Sequence, residues 1–503
     1  MHVRPRTTTA IAVALALVVA VPAAADGGYL TDQDPFISLT GDAPPGSTVT
    51  AIINSGDTLD GVEFQGIPDG IGLAPGPTPD TVDVYVAHEQ TTVPFFNSAD
   101  FQDSSVSKLT LSTDDASVHD LSVALSPELG YLRFCSAFMA GPAEGFDDYV
   151  FFTGEETDDI VDVAPGAEFG PDPAIAPQRQ GGYAVALNTA TGESEPIPGM
   201  GRLNHENTVW LPGYSRLAAL TTDDTFNGPS SQLYMYTANS QKSVFADKGG
   251  LWAFRVTATQ DGKVDPTDPF NGANDYLDIR PGDRFSGEFI RVPKDIARGE
   301  TDLAPQAALE QWSNDNNVFQ FIRLEDLAYD PDEPTTVYVA DTGRSRVVPD
   351  SSTGRLVRGP SGTVGQADNG AIFKFEMNEK NPRRVDGFSM VAQGDDPSIG
   401  AYVPFVSPDN LDTSSASLMV QEDTDNAKIW RHDLDTGAWS AVATVNDPGG
   451  ESSGIVDASQ WFGDGTWVLD VQGSTFVRSE IDEDGVLRKL ADGQVMLLDL
   501  PGS

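Results

Sequence analysis

Arg323 and Glu325 stand two residues apart in "FIRLEDLAYDPDEPTTVYVADTG", residues 321–343. In an extended chain that spacing aims both side chains to the same side. A guanidinium is not a metal ligand, but its planar fork matches the paired oxygens of a phosphate or a carboxylate. A glutamate is a hard oxygen donor for a cation. The pair therefore reads as an anion grip beside a metal ligand, with Arg323 and Glu325 as the candidate catalytic residues. A local salt bridge between Arg323 and a nearby acid explains the same spacing equally well.

Further acids, and the one cysteine, fall at matching places along the chain. One unit recurs: a polar approach, a turn, then a short apolar strand ending in polar or acidic residues. It is seen in "GIGLAPGPTPDTVDVYVAHEQ" (70–90), "RFCSAFMAGPAEGFDDYVFFTGEE" (133–156) and "NHENTVWLPGYSRLAALTTDD" (204–224). It returns in "RLEDLAYDPDEPTTVYVADTG" (323–343), "SPDNLDTSSASLMVQEDTD" (407–425) and "GIVDASQWFGDGTWVLDVQ" (454–472). Overlaid, the polar ends contribute His88 and Glu89, then Cys135 with Glu155 and Glu156, then His205 and Glu206 with Asp223 and Asp224. Arg323 and Glu325 follow, and then Asp409, Asn410, Glu422 and Asp423. Carboxylates about 4 Å apart repel by roughly 4 kcal/mol per pair at an effective dielectric near 20. Gathered at one place they need protons or cations, and cations are the expectation. Oxygen-rich sites suit calcium, and a thiolate or imidazole among the ligands admits iron or zinc.

The elements that must position these residues are strands. Short Val, Ile, Leu, Tyr, Phe and Trp runs alternate with Gly, Pro, Asp, Asn and Ser clusters, an all-β pattern. Six recurring units predict a six-bladed β-propeller with irregular loop insertions; an array of two-sheet sandwiches is the alternative. The apolar runs at 83–87, 149–153, 217–221, 336–340, 417–421 and 466–470 are expected around one channel, with their ends converging on one mouth. Residues 258–320 read as a loop-rich excursion. No low-complexity linker divides residues 26–503, so one propeller domain is expected.

The chain begins with Arg4 and Arg6, an apolar run from Ala10 to Val21 and Ala23-Ala24-Ala25 before Asp26. That is the pattern of an export signal spanning residues 1–25. No later stretch approaches the roughly 18 apolar residues of a spanning helix. A secreted or periplasmic protein without a membrane span is expected, monomeric by default. With 76 acidic and 30 basic residues the formal net charge is -46, which argues against nucleic acid as a partner. A lone Cys135 excludes an internal disulfide framework. No serine-nucleophile elbow, zinc-protease helix motif or phosphate-cradling P-loop is present. "DTDNAK" (423–428) and "DEDGVL" (482–487) resemble fragments of calcium loops without completing one.

The blade ends resemble those of the PhoX-type alkaline phosphatases, exported six-bladed propellers with iron and calcium at the channel mouth. "VAHEQT", "FCS" followed by "GEET", "GRLNHEN" followed by "TTDDTF", "IRLEDLAYDP" and "SPDNL" occur in the family's order, over roughly residues 60 to 475. The resemblance implies Cys135, Glu155 or Glu156, Glu206, Asp223 or Asp224, and Glu325 as metal ligands. It implies Arg323 as the phosphate-binding side chain, and a small phosphorylated substrate hydrolysed with help from calcium and, at the thiolate, iron. Two features depart from the family. "AFMAGPAEGFDDYVFF" replaces its glycine- and tryptophan-containing stretch, and Pro5 separates the two arginines of the signal. Three rival readings stay open at this level: a calcium-only lactonase- or esterase-like hydrolase, a non-catalytic calcium-bound binding propeller, and a phytase-like propeller.

Overall fold

The computed structural model describes residues 28–503 apart from 93–97, 163–177, 226–230, 260–271, 300–303, 351–354, 484 and 503. The expected signal segment lies outside the described residues, and the 258–320 excursion does so in part.

Six antiparallel blades follow one another along the chain. Their innermost strands are Pro68–Pro75, Phe134–Ala140, His205–Trp210, Leu324–Tyr329, Pro408–Thr413 and Glu451–Asp457. Each of these packs on the next and the sixth packs back on the first, which closes a ring around one channel. Closure also uses the chain's beginning. Thr48–Asn54 supplies the outermost strand of blade 6 by pairing with Leu487–Asp499, and Ile37–Leu39 extends blade 5 by pairing with Trp439–Val445. A ring sealed this way leaves no wide sheet edge at the join.

The six apolar runs named from sequence stand around the one channel, as expected, but one strand out from its lining. They lie in the second strand of each blade: Thr81–His88, Val150–Glu155, Leu217–Asp223, Thr336–Asp341, Ser417–Glu422 and Thr466–Ile481. The reason is burial. A second strand is covered on both faces by neighbouring blades and so reads as a continuous apolar run, whereas the inner strand turns polar atoms toward the channel.

The excursion is more ordered than its composition suggests. Phe285–Arg291 adds a fifth strand to blade 3 and also pairs with Arg384–Gln393, fusing blades 3 and 4 into one nine-stranded sheet. Phe254, Phe319, Phe321, Phe373, Phe375 and Phe388 fill the space between those blades, with ring centroids as close as 4.7 Å. Helix Pro305–Asp315 packs Leu309 beside Tyr234 and Val292.

Candidate metal centre at the channel mouth

Every inner strand carries a β-bulge at the same place. Pairing with the second strand slips between Pro68 and Ile71, Phe134 and Ala137, His205 and Thr208, Leu324 and Leu327, Pro408 and Leu411, and Ser452 and Ile455. At each slip two inner-strand residues face one on the partner, which bends the strand and re-aims a side chain. The first bulged residue is Asp69, Cys135, Glu206, Glu325, Asp409 or Ser453 in turn. Five of these six positions therefore hold a potential metal donor. Tight packing behind the bulge shows in blade 6, where a Cβ on Gly454 would sit 2.2 Å from the Asp69 carbonyl oxygen.

The second strand delivers another donor just past its end. The amides of Glu89, Glu156, Asp224, Thr342 and Asp423 bond to the carbonyls of Ile67, Arg133, Asn204, Arg323 and Ser407, at 2.9–3.1 Å. These acceptors immediately precede, or nearly precede, the inner strand, so each bond fixes the donor above its bulge. Ile67, Arg133 and Ser407 hold left-handed φ values of 49°, 46° and 50° there. Such backbone costs of order 1–3 kcal/mol per residue and clusters at functional sites.

Together these positions form an unbroken run of donors. Among the described residues, oxygen or sulfur atoms lie within 4.8 Å of one another in five overlapping triads. They are Asp69–Glu89–Cys135, Cys135–Glu156–Glu206, Glu156–Asp224–Glu325, Glu206–Glu325–Asp409 and Asp409–Asp423–Glu451. All six blades contribute. The half-buried Cys135 sits among acids, its Sγ 3.5 Å from Asp69 Oδ2.

The paired acids divide. Glu156 and Asp224 enter the triads, whereas Glu155 and Asp223 turn to the protein. Glu155 accepts the amides of Leu132 (2.9 Å) and Tyr183 (3.2 Å), and Asp223 accepts from Thr225 Oγ1 (3.0 Å) and Gln306 Nε2 (3.2 Å). Asp341 and Glu422, at the same strand end in blades 4 and 5, likewise hold the amides of Ile322, Arg323 and Gly343 and of Val406 and Lys428. His88 and His205 are also kept from the mouth. They hydrogen-bond Gly66 O and Ser107 Oγ, and Gly201 O and Thr221 Oγ1, and burial lowers each to about 4, so both are neutral.

Arg323 lies over the centre of the run. Its Nε and Nη2 donate to Asp224 Oδ1 (2.8 Å) and Oδ2 (2.5 Å), and Nη2 stands 3.3 Å from Glu325 Oε1. Beneath the cluster, side chains meet across the channel. Ser136 Oγ donates to Glu206 Oε1 and accepts from Asn410 Nδ2 at 3.0 Å, while Asn207 Nδ2 donates to Asp326.

The electrostatics favour bound positive charge. Burial raises the carboxyls of Asp69, Glu156, Glu325 and Asp409, and their acidic neighbours raise them further. Glu206 is pushed up to about 8, mainly by burial. Burial and the surrounding carboxylates push the Cys135 thiol up as well. Asp69 Oδ1 and Glu206 Oε2 are buried and accept no hydrogen bond. Oxygens left this way fit cation ligands, since an unpaired buried charge is otherwise costly.

Asp69, Glu89, Asp409, Asp423 and Glu451 belong to the run beyond the residues singled out from sequence as ligands. Glu89, Asp409 and Asp423 stand at overlaid blade ends. Asp69 and Glu451 lie just outside the units quoted for blades 1 and 6. Aligning "PDGI", "FCSA", "HENT", "LEDL" and "PDNL" on the bulge would have found Asp69.

The sequence profile of the family "Alkaline phosphatase PhoX" matches residues 147–458. The match covers more than half of the protein, and the chain belongs to the PhoX alkaline phosphatase family. Membership supports a phosphatase-type hydrolase. The family is metal-dependent, and the buried acidic clusters could hold metal. Asp69, Glu89 and Cys135 lie before the matched span. No curated protein matches the chain. Among solved structures, an α-L-arabinofuranosidase from Fusarium graminearum is 8% identical, with a TM-score of 0.38 over 85% of this chain and 92% of that one. An α-L-arabinanase from Penicillium chrysogenum is 11% identical, with a TM-score of 0.38 over 91% and 99%. Among the described residues no helix is long and apolar enough to cross a membrane.

Proposed function

We propose that this protein is an exported, metal-dependent phosphoric ester hydrolase working at the channel mouth. The observation that carries the reading is the run of ten donors, from all six blades, with Arg323 set into it. Nine of the donors are carboxylates and suit calcium. The thiol end, Cys135 with Asp69, Glu89, Glu156 and Glu206, suits iron in addition. Cations held by these residues would supply positive charge to polarise phosphoryl oxygens and favour an ionised attacking oxygen.

The chain's own groups do the rest. Asp224 and Glu325 orient the Arg323 fork, and that fork orients a phosphoryl group through paired donors. Ser136, Asn207, Asp326 and Asn410 close the channel below, which confines the substrate to the mouth. The substrate is a small phosphorylated molecule, and the protein acts as a monomer outside the cytoplasm. The bidentate hold of Asp224 on Arg323 favours a second reading, in which the arginine only neutralises the cluster. A calcium-bound binding propeller or a neutral-ester hydrolase would then remain.

The test is metal analysis of the purified protein, with phosphate release from a phosphomonoester measured before and after chelation. Bound calcium, with iron, and activity lost on chelation and restored by metal are expected. Metal-replete protein that releases no phosphate would overturn the assignment.

A further inference from the structure

Blade 6 departs from the other blades at the position where the second strand delivers its donor. In blades 1 to 5 the second-strand residue paired just before the bulge is His88, Glu155, Asp223, Asp341 or Glu422. The residue that follows is Glu89, Glu156, Asp224, Thr342 or Asp423, a carboxylate in four cases. In blade 6 the corresponding pair is Ser452 with Val471, so the residue that follows is Gln472. The strand also continues here, with Gln472 in register with Glu451 on one side and Gly493 on the other. Its side chain is therefore carried by a strand paired along both edges.

That side chain reaches across the seam between blades 6 and 1. Gln472 Nε2 donates to Asp69 Oδ2 at 2.8 Å and to Glu89 Oε2 at 3.2 Å, partners 403 and 383 residues away. A carboxylate only accepts, so both bonds use the N–H groups of the one amide nitrogen. Asp69 Oδ2 also lies 3.5 Å from Cys135 Sγ, whereas Asp69 Oδ1 is buried and accepts no hydrogen bond. The amide thus chooses which Asp69 oxygen stays without a protein partner. Asp69, Glu89 and Cys135 are the first triad of the run. A carboxylate at 472 would repel both acids, whereas a neutral amide orients them without adding charge for a cation to balance.

We propose that Gln472 is a positioning residue for the thiol end of the run, holding Asp69 and Glu89 as a preset pair beside Cys135 and so setting the affinity of the cation bound there. The inference rests on the metal-dependent reading above. Hydrogen-bond partners that orient metal ligands are worth roughly 10–100-fold in metal affinity.

The test titrates cobalt(II) into the full chain, made without iron and kept in excess calcium. It follows the absorption band of a thiolate bound to the metal. Cys135→Ser supplies the blank, because carboxylates give no such band. The parent is set against Gln472→Met, which loses the donors at similar length, and Gln472→Glu, which exchanges a donor for an acceptor. Thermal melting checks folding, and either variant decides the matter if the other does not fold. The parent is expected to show the band. Both variants should need about 10–100-fold more cobalt to reach half of it, with the parent's intensity at saturation. A purely structural role would lower melting and leave that midpoint in place. An unchanged midpoint in folded variants would overturn the positioning role, and so would a parent without the band. Phosphate release from a phosphomonoester, measured on the same samples, separates the two proposals. If the parent releases none while the variants shift the midpoint, the phosphatase reading fails and the positioning role stands. If the parent releases phosphate and the midpoint does not move, the positioning role alone fails.

Discussion

Arg323 grips Asp224 through two parallel hydrogen bonds, Nε to Oδ1 at 2.8 Å and Nη2 to Oδ2 at 2.5 Å, across 99 residues of sequence and two blades. Asp224 is fully buried and Arg323 is one-fifth exposed. The acid anchors the guanidinium within the run of donors.

Replacing Arg323 should therefore separate turnover from metal content. Arg323→Ala is expected to lower kcat/KM on a phosphomonoester by about 10–100-fold, the range for losing charge-assisted hydrogen bonds. Arg323→Lys should recover little, because an ammonium cannot reproduce the planar fork. Bound metal should remain near the parent's in both. In Glu325→Gln, metal and turnover should fall together. A neutral ester assayed in parallel should respond little to Arg323→Ala. Loss confined to the neutral ester would favour the lactonase-like rival.

Cys135 gives a test of metal identity. Cys135→Ser removes the soft donor and leaves every carboxylate of the run. Iron measured by elemental analysis should drop to trace levels while calcium stays. Parent protein that carries calcium alone would leave iron without a role at this mouth.

Chelation should lower stability, since the buried carboxylates of the run lose their compensating charge. A cation present at 1,000 times its Kd contributes about 4 kcal/mol by mass action. The expected result is a melting temperature that falls with chelator and returns with calcium. No shift with chelator in metal-replete protein would count against cations at the run.

Ring closure by the chain's beginning can be probed at Ile52, which is fully buried in the outermost strand of blade 6. Ile52→Ala should cost about 2–5 kcal/mol through lost burial and the cavity left behind. Denaturant unfolding would report it. A cost below about 0.5 kcal/mol would mean that the closing strand contributes little.

A pH effect away from the mouth follows from Asp275, which burial raises from its ordinary value of 3.8 to about 6. Its Oδ1 accepts the Leu277 amide at 2.8 Å as an N-cap, a role asparagine also performs. A raised carboxyl favours the folded state fully below about pH 4, and that contribution is lost as pH rises through about 6. Asp275→Asn removes the titration and keeps the cap. Its melting temperature relative to the parent should climb between pH 4 and pH 7. A constant difference across that range would contradict the shift.

Much of the site was legible because its donors recur at one place in a repeated unit. Glu206, Glu325 and Cys135 stand at blade ends that could be overlaid by eye. Choosing Glu156 over Glu155, and Asp224 over Asp223, was beyond sequence. Neighbours in a strand point to opposite sides, and only the partner of each side shows which one meets the channel. Glu155 finds two backbone amides, whereas Glu156 finds other acids.

By itself the sequence determined an all-β repeat of six units, an acidic chain with one thiol, and an arginine beside a glutamate in the fourth unit. Those features are local: strand periodicity, turn residues and spacing within some twenty positions. The tertiary structure decided which strand lines the channel. It placed the bulge that turns Asp69, Cys135, Glu206, Glu325 and Asp409 inward, and it brought Arg323 to Asp224. The physical reason is that burial on both faces made the second strand the most apolar, and so the most conspicuous in sequence. The functional inner strand is short, polar and bent by an extra residue. Its partners are 66 to 274 residues away, and only closing the ring brings them together.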